Sequence, residues 1–209
     1  MKFSKYISSI IKLLSIIIRI QFKKIFRLNQ TDYRRWTNIN NLNGTWEYRE
    51  PILATMINPN STVLEFGAGL IRLPEYLPEN CTYIPSDIVK RRPEVLICDL
   101  NNPNIPFLPK VDVAVFSGVL EYIENVPRII NHLSNKCNAM VISYVVTQNS
   151  KKKLKELLLR RSMGWVNDYT EEEIIALFQD KGFVCVKKIF WNNQIICQFL
   201  NTKSSGTFG

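Results

Sequence analysis

The chain of 209 residues has a single histidine, His132, and none of its five cysteines forms a C-x-x-C pair. Cys81, Cys98, Cys137, Cys185 and Cys197 are scattered, most of them in apolar, strand-like runs. That spacing argues against a zinc site or a disulfide framework, and for reduced, packed thiols. The first 36 residues are nearly without acid: Asp32 stands alone against nine Lys/Arg, so they carry +8 of the chain's net +9. Because the basic excess sits in one segment, it does not mark the remaining chain as a nucleic-acid binder. With 46 % apolar and 22 % charged residues, wholesale disorder is excluded as well.

The same N-terminal segment has no clean apolar run. Residues 6–22, YISSIIKLLSIIIRIQF, are interrupted by Lys12 and Arg19. A spanning helix needs about 20 nearly uncharged residues, and a secretory signal needs an unbroken apolar core with a small-residue cleavage site. Lys5, Lys12 and Arg19 recur every seven residues, so a helix would gather them on one stripe. Ile7, Ile10, Leu14, Ile17, Ile18 and Phe22 would cover the rest. Such a helix can lie in the interface of an anionic membrane through residues 1–27, dock on its own domain or a second subunit, or act as an anchor or signal. A second basic run, Lys151, Lys152, Lys153, Lys155, Arg160 and Arg161, reads as a solvated helix face that could also meet a membrane.

From residue 44 the pattern alternates. Trp46–Met56 predicts a short helix, Thr62–Phe66 a strand, and Leu70–Leu77 a short helix broken by Pro74 and Pro78. Thr82–Ser86, Val95–Cys98 and Val111–Phe116 predict strands, Glu121–Leu133 a helix, and Ala139–Val146 a long buried strand. Thr170 and Glu173 fit a capping box opening a helix that runs to Lys181 and stops at Gly182. Phe183–Phe190 and Gln194–Leu200, joined through Trp191-Asn192-Asn193, must pair as an antiparallel hairpin. The expected architecture is a parallel sheet with helices on both faces, closed by that hairpin.

Ligands of an open parallel sheet sit beyond the strands' carboxyl ends, at the point where strand order reverses. The turn there reads Glu65-Phe66-Gly67-Ala68-Gly69, with Asp87 ending the next strand. Glycines let the backbone turn and approach a ligand. A dinucleotide fingerprint needs a third glycine where this chain has Arg72. Glu65 would repel a pyrophosphate but suits a cationic ligand.

These residues resemble the E-x-G-x-G first motif of class I S-adenosylmethionine-dependent methyltransferases. Asp87 is similar to that family's acidic residue after strand two, and Asp99 to its adenine-facing carboxylate after strand three. Phe116-Ser117-Gly118-Val119-Leu120-Glu121-Tyr122 resembles the fourth motif. The likeness spans roughly residues 44–200, and Ile71 stands where many members carry a third glycine. It implies an α/β, Rossmann-like class I methyltransferase fold: a mostly parallel seven-stranded sheet with a terminal antiparallel hairpin, helices on both faces, and the N-terminal amphipathic helix in addition. The implied domains are the basic helix at 1–30, the methyltransferase domain at 31–203 and a disordered tail at 204–209. S-adenosyl-L-methionine is the implied cofactor, held by Glu65, Phe66, Gly67, Ala68, Gly69, Asp87, Ile88, Asp99, Leu100, Ser117 and Gly118.

Methyl transfer from a sulfonium is an in-line displacement that depends on alignment and exclusion of water. An oxygen nucleophile also needs a base. Glu121 and Tyr122 are the candidate catalytic residues, with helix capping or ion pairing as the alternative for Glu121. Trp165, Asn167 and Tyr169 are candidate acceptor contacts, with a packed loop as the alternative. His132 reads as structural or exposed. The implied enzyme methylates a small-molecule or glycan- or lipid-linked acceptor in the cytoplasm, with peripheral attachment to the membrane's inner face under the first reading of residues 1–27. No metal or nucleic acid is expected. The rivals are a catalytically inactive scaffold or membrane adaptor, and a nicotinamide oxidoreductase disfavoured by Arg72 and the terminal hairpin.

Overall fold

A computed structural model describes residues 14, 15, 18, 31–42, 48–147 and 154–203. The expected helix at residues 1–30 lies outside these, except that Leu14, Ser15 and Ile18 are helical and both apolar side chains are exposed. The tail at 204–209 lies outside them too. Among the described residues, no helix is long and apolar enough to cross a membrane.

Seven strands form one sheet: β1 (Thr62–Phe66), β2 (Thr82–Asp87), β3 (Leu96–Ile97), β4 (Val111–Ser117), β5 (Cys137–Val145), β6 (Phe183–Trp191) and β7 (Gln194–Asn201). Their order is β3-β2-β1-β4-β5-β7-β6. The pairs from β3 to β5 are parallel, and β7 opposes both of its neighbours. The hairpin closes on Asn192, whose φ of 51° suits the tight turns that match strand twist. β1 is flanked by β2 on one side and β4 on the other, so the strand order reverses beside it.

Side chains alternate across the strands. Leu64, Phe66, Ala114, Phe116, Met140, Ile142 and Tyr144 face one core, which is covered by α3 (Val126–Leu133) and α5 (Glu171–Gln179). Val126, Ile129, Ile130 and Leu133 form the buried stripe of α3. Val63, Val113, Val115, Ala139 and Val141 face the other core, under α2 (Glu50–Ala54) and a 3-10 turn at Leu73–Glu75. Two further helices, α1 (Tyr33–Thr37) and α4 (Leu154–Ser162), flank the carboxyl edge of the sheet.

Several boundaries differ from the sequence reading. The helix expected at Leu70–Leu77 is that single 3-10 turn, because Pro74 removes a donor and Ile71 holds a left-handed φ of 59°. The helix expected from Glu121 is a 3-10 turn at Leu120–Tyr122 and then α3, which begins after Asn125 caps it and Pro127 enters its first turn. The capping box of Thr170 and Glu173 is present.

Candidate functional site

An open cleft lies over the carboxyl ends of β1, β2 and β4. All eleven expected cofactor residues, Glu65 to Gly69, Asp87, Ile88, Asp99, Leu100, Ser117 and Gly118, line it, as does Tyr122. Its floor is shaped by two glycines. Gly67 has a φ of 67°, and a Cβ there would lie 2.4 Å from Val119 Cγ2. At Gly118, φ 64°, a Cβ would meet the Arg49 guanidinium at 2.6 Å. Larger residues would be strained at both and would fill the space over the turn.

Asp87 ties β2 to the glycine turn. Its Oδ2 accepts from Gly69 N–H at 2.9 Å and its Oδ1 from Val89 N–H at 2.9 Å, while Arg91 Nη1 lies 3.3 Å from Oδ2. Arg91 also donates to the Trp36 carbonyl. Asp99 accepts from the Thr31 hydroxyl at 2.6 Å and the Tyr33 hydroxyl at 2.8 Å. Burial, and then Asp99, push the Tyr33 phenol up to about 12. Residues 31–42 thereby form a strap across the mouth, and Thr31, Trp36 and Leu42 line the cleft.

The deepest polar group comes from strand alternation. Glu65 and Ser117 share a sheet face with Val63 and Val115, the face on which α2 lies. Glu50, on α2, accepts from Ser117 Oγ–H at 2.7 Å, and Arg49, its N-cap, donates from Nε to the same hydroxyl at 2.7 Å and from Nη2 to Ser117 O at 2.7 Å. The Tyr83 hydroxyl donates to Glu65. Burial, followed by the neighbouring Glu50, lifts the Glu65 carboxyl to about 8.

The catalytic and acceptor expectations divide. Tyr122 faces the cleft, with the Trp36 ring edge-on at 4.9 Å between centroids. Burial, then Glu121, raise its phenol to about 12, although Trp165, hydrogen-bonded to it, works the other way. Glu121 does not line the cleft. Its Oε1 accepts from Val145 N–H at 2.8 Å, and burial raises its carboxyl above the ordinary range. The 3-10 turn aims it inward, under β5, rather than toward a ligand.

Trp165, Asn167 and Tyr169 do not line the cleft either. Asn167 accepts from the Tyr144 hydroxyl at 2.6 Å and donates to the carbonyls of Leu120 and Ile123 at 2.7 and 2.9 Å. Tyr169 N–H donates to the Tyr144 hydroxyl at 3.0 Å, and Trp165 lies 4.7 Å from the Arg160 guanidinium. Trp165 thus reaches the site only through Tyr122. The solvated face expected for the second basic run is likewise corrected at two positions. Arg160 is 2 % exposed and donates from Nε to Asp168 at 3.0 Å, and Arg161 pairs with the same carboxylate. Buried arginine needs such a partner.

Sequence reasoning missed Arg49, Glu50, Arg91 and the strap. Thr31 and Tyr33 carried no local signal, but Arg49-Glu50 did: two adjacent charges heading the otherwise apolar Ile52-Leu53-Ala54 are out of place unless they meet each other and a site. Among the described residues, no group of three His, Cys, Asp or Glu could hold a metal.

Residues 43–188 match a family model described as a methyltransferase domain. The fold is shared with CalO1, a methyltransferase in calicheamicin biosynthesis in its SAH-bound form, at 18 % identity and a TM-score of 0.57, over 75 % of this chain and 54 % of that one. It is also shared with 1,6-didemethyltoxoflavin-N1-methyltransferase of Burkholderia thailandensis, with 1,6-didemethyltoxoflavin and S-adenosylhomocysteine bound, at 13 % identity, TM-score 0.56, 91 % of this chain and 89 % of that one. A third is magnesium protoporphyrin IX methyltransferase from Synechocystis PCC 6803 with bound SAH, at 18 % identity, TM-score 0.54, 83 % of this chain and 95 % of that one. This chain spans little more than half the length of CalO1. No curated protein matches the sequence.

Proposed function

The chain belongs to the methyltransferase-domain family, and we propose that it moves a methyl group from S-adenosylmethionine to a small-molecule acceptor with an apolar or aromatic face. The observation that carries this reading is the convergence of Glu65, Gly67, Gly69, Asp87 and Asp99 on one cleft at the point where strand order reverses. A buried, carboxylate-rich cleft selects a cationic nucleoside and disfavours a dinucleotide.

When bound, S-adenosylmethionine supplies an electrophilic methyl carbon: the nucleophile's lone pair forms the new bond while the carbon–sulfur electrons leave with sulfur. The chain's part is to orient and enclose. Glu65 and Glu50 face the ligand's positive end, and Arg49, pinned on Ser117, faces its carboxylate. Asp87 takes the ribose hydroxyls with the lone pairs its backbone donors leave. Asp99, which accepts from Thr31 and Tyr33, would hold the adenine amino group. The acceptor lies against Trp36 and Tyr122, which exclude water. The Tyr122 phenol, raised to about 12, stays protonated and donates a hydrogen bond rather than serving as base. Glu121 holds the turn beneath it. A glycan- or lipid-linked acceptor at the membrane's inner face is the narrower form of this reading, supported by the amphipathic pattern of residues 1–27 alone. Unchanged membrane fractionation after deletion of those residues would remove it.

Calorimetric titration with S-adenosylmethionine and S-adenosylhomocysteine, wild type against Asp87→Ala, tests the core of the reading. Micromolar binding that the variant loses supports it. A well-folded wild type that binds neither points instead to an inactive scaffold on the same fold.

A further inference from the structure

One amide side chain in the cleft, that of Asn101, ties three separate segments of the chain together. It stands two residues past Asp99, half-buried, and lines the cleft. Its Nδ2 donates to the Thr31 hydroxyl of the strap at 3.2 Å and to the Tyr122 carbonyl at 2.9 Å. Its Oδ1 accepts from Glu124 N–H at 2.9 Å, just past the 3-10 turn that carries Tyr122. Its own backbone N–H donates to Asp99 Oδ1 at 2.9 Å. The loop beneath it is gripped from α3: the Arg128 guanidinium donates to the carbonyls of Leu100, Asn102 and Pro103 at 2.6, 2.9 and 3.2 Å. Asn101 is thus a fixed point between the strap and the Tyr122 turn.

These contacts close a ring. Asp99 holds the strap through Thr31 and Tyr33, and the strap carries Trp36, whose ring meets that of Tyr122. From the Tyr122 carbonyl, Asn101 leads back to Asp99. A carboxylate offers about four lone-pair sites. Thr31 and Asn101 occupy Oδ1 and Tyr33 takes a site on Oδ2, so the other Oδ2 site is left for a ligand's donor. A donor arriving there joins a network whose far side is the acceptor wall. We propose that Asn101 is a positioning residue through which the nucleoside sets that wall: an amino group held by Asp99 tightens the Tyr122 turn through the Asn101 amide. The surface that meets the acceptor is therefore completed after the nucleoside is bound. The inference rests on the S-adenosylmethionine reading above and adds to it an order of binding and a residue that the sequence motifs do not contain. Each link is a hydrogen bond, so the coupling is of that size.

Amide hydrogen exchange of the full chain, read by NMR with and without saturating S-adenosylhomocysteine, tests it, with saturation followed by calorimetry. The reporters are the N–H groups of Tyr122 and Ile123, which donate to the Val119 and Leu120 carbonyls and lie outside the residues assigned to the cofactor. In the wild type the ligand should slow their exchange about three- to tenfold. Asn101→Ala keeps the backbone donor to Asp99, so it should bind S-adenosylhomocysteine within about tenfold of wild-type affinity, while the ligand's effect on the two reporters disappears. A role confined to stability would speed exchange equally with and without ligand; an intact ligand effect in the variant therefore overturns the proposal. Saturated wild type with unchanged reporters overturns it too and leaves the cofactor reading standing, whereas no binding by folded wild type overturns both. Should Asn101→Ala fail to fold, Asn101→Asp decides. That variant keeps the acceptor for Glu124 N–H and loses the donor to the Tyr122 carbonyl, so the ligand's effect should vanish; its persistence refutes the coupling.

Discussion

Two polar clusters lie at the carboxyl edge of the sheet, built from the same kinds of residue with opposite results. In the cleft, Glu50 lies beside Arg49, Glu65 accepts from Tyr83, and both carboxylates line the cavity. Beyond β5, the guanidiniums of Arg160 and Arg161 share Asp168, and the Tyr144 hydroxyl and Asn167 complete the set, none of them lining the cleft. One opens onto the cleft, where a ligand can reach it. The other spends its polar groups on holding α4 and the loop after it against β5. What separates a site from a staple here is access, not composition.

The comparison can be broken most forcefully at the staple. Asp168→Ala leaves Arg160 buried without its anion and should cost about 3–5 kcal/mol in urea unfolding, whereas Asp87→Ala should act chiefly on ligand affinity. Tyr144→Phe removes the hydroxyl that bridges Arg160, Asn167 and Tyr169, with an expected loss of about 1–3 kcal/mol. In both variants, affinity per folded molecule should stay near wild type; a parallel loss would mean that the two clusters are one.

On the cleft side the expected effects are smaller and of the other sign. Glu65 keeps its proton to about 8 in the folded chain but releases it near 4.5 when unfolded. The folded state therefore binds more protons across that window. Its contribution to stability is complete at acid pH and is lost as pH rises through the folded value. The stability lead of Glu65→Gln over wild type should accordingly grow between pH 5 and about 8, measured by denaturation at each pH. Smallest is Ile71→Gly. A β-branched residue at a φ of 59° costs about 1–2 kcal/mol, part of which the lost side chain offsets. A net gain of about 0.5–1 kcal/mol is expected in thermal unfolding.

Much of this was legible beforehand, for identifiable reasons. The strands announce themselves because β-branched and aromatic runs are bounded by turn residues, and the hairpin follows from the short link at Asn192-Asn193. The cleft was legible because Glu65, Gly67, Gly69, Asp87 and Asp99 all stand at strand ends. Arg160 and Arg161 misled because charge ordinarily means solvent, and their partner Asp168 lies in a loop outside any helical spacing. The strap was invisible: Thr31 and Tyr33 meet Asp99 across 68 and 66 residues of chain. Ile71 was noticed as the wrong residue for a glycine position, and its left-handed backbone shows that the position still requires what glycine would have provided.

The 3-10 turn at Leu73–Glu75 has an electrostatic consequence. In phosphate-binding folds the first strand delivers the ligand to a helix N-terminus, where aligned peptide dipoles supply about half a positive charge fixed in the backbone. A three-residue turn sums too few dipoles to do this. Positive potential in the cleft therefore comes from the side chains of Arg49, Arg72 and Arg91, each of which can be removed singly by substitution. The field that greets an anionic group is thus written in side chains rather than in the main chain.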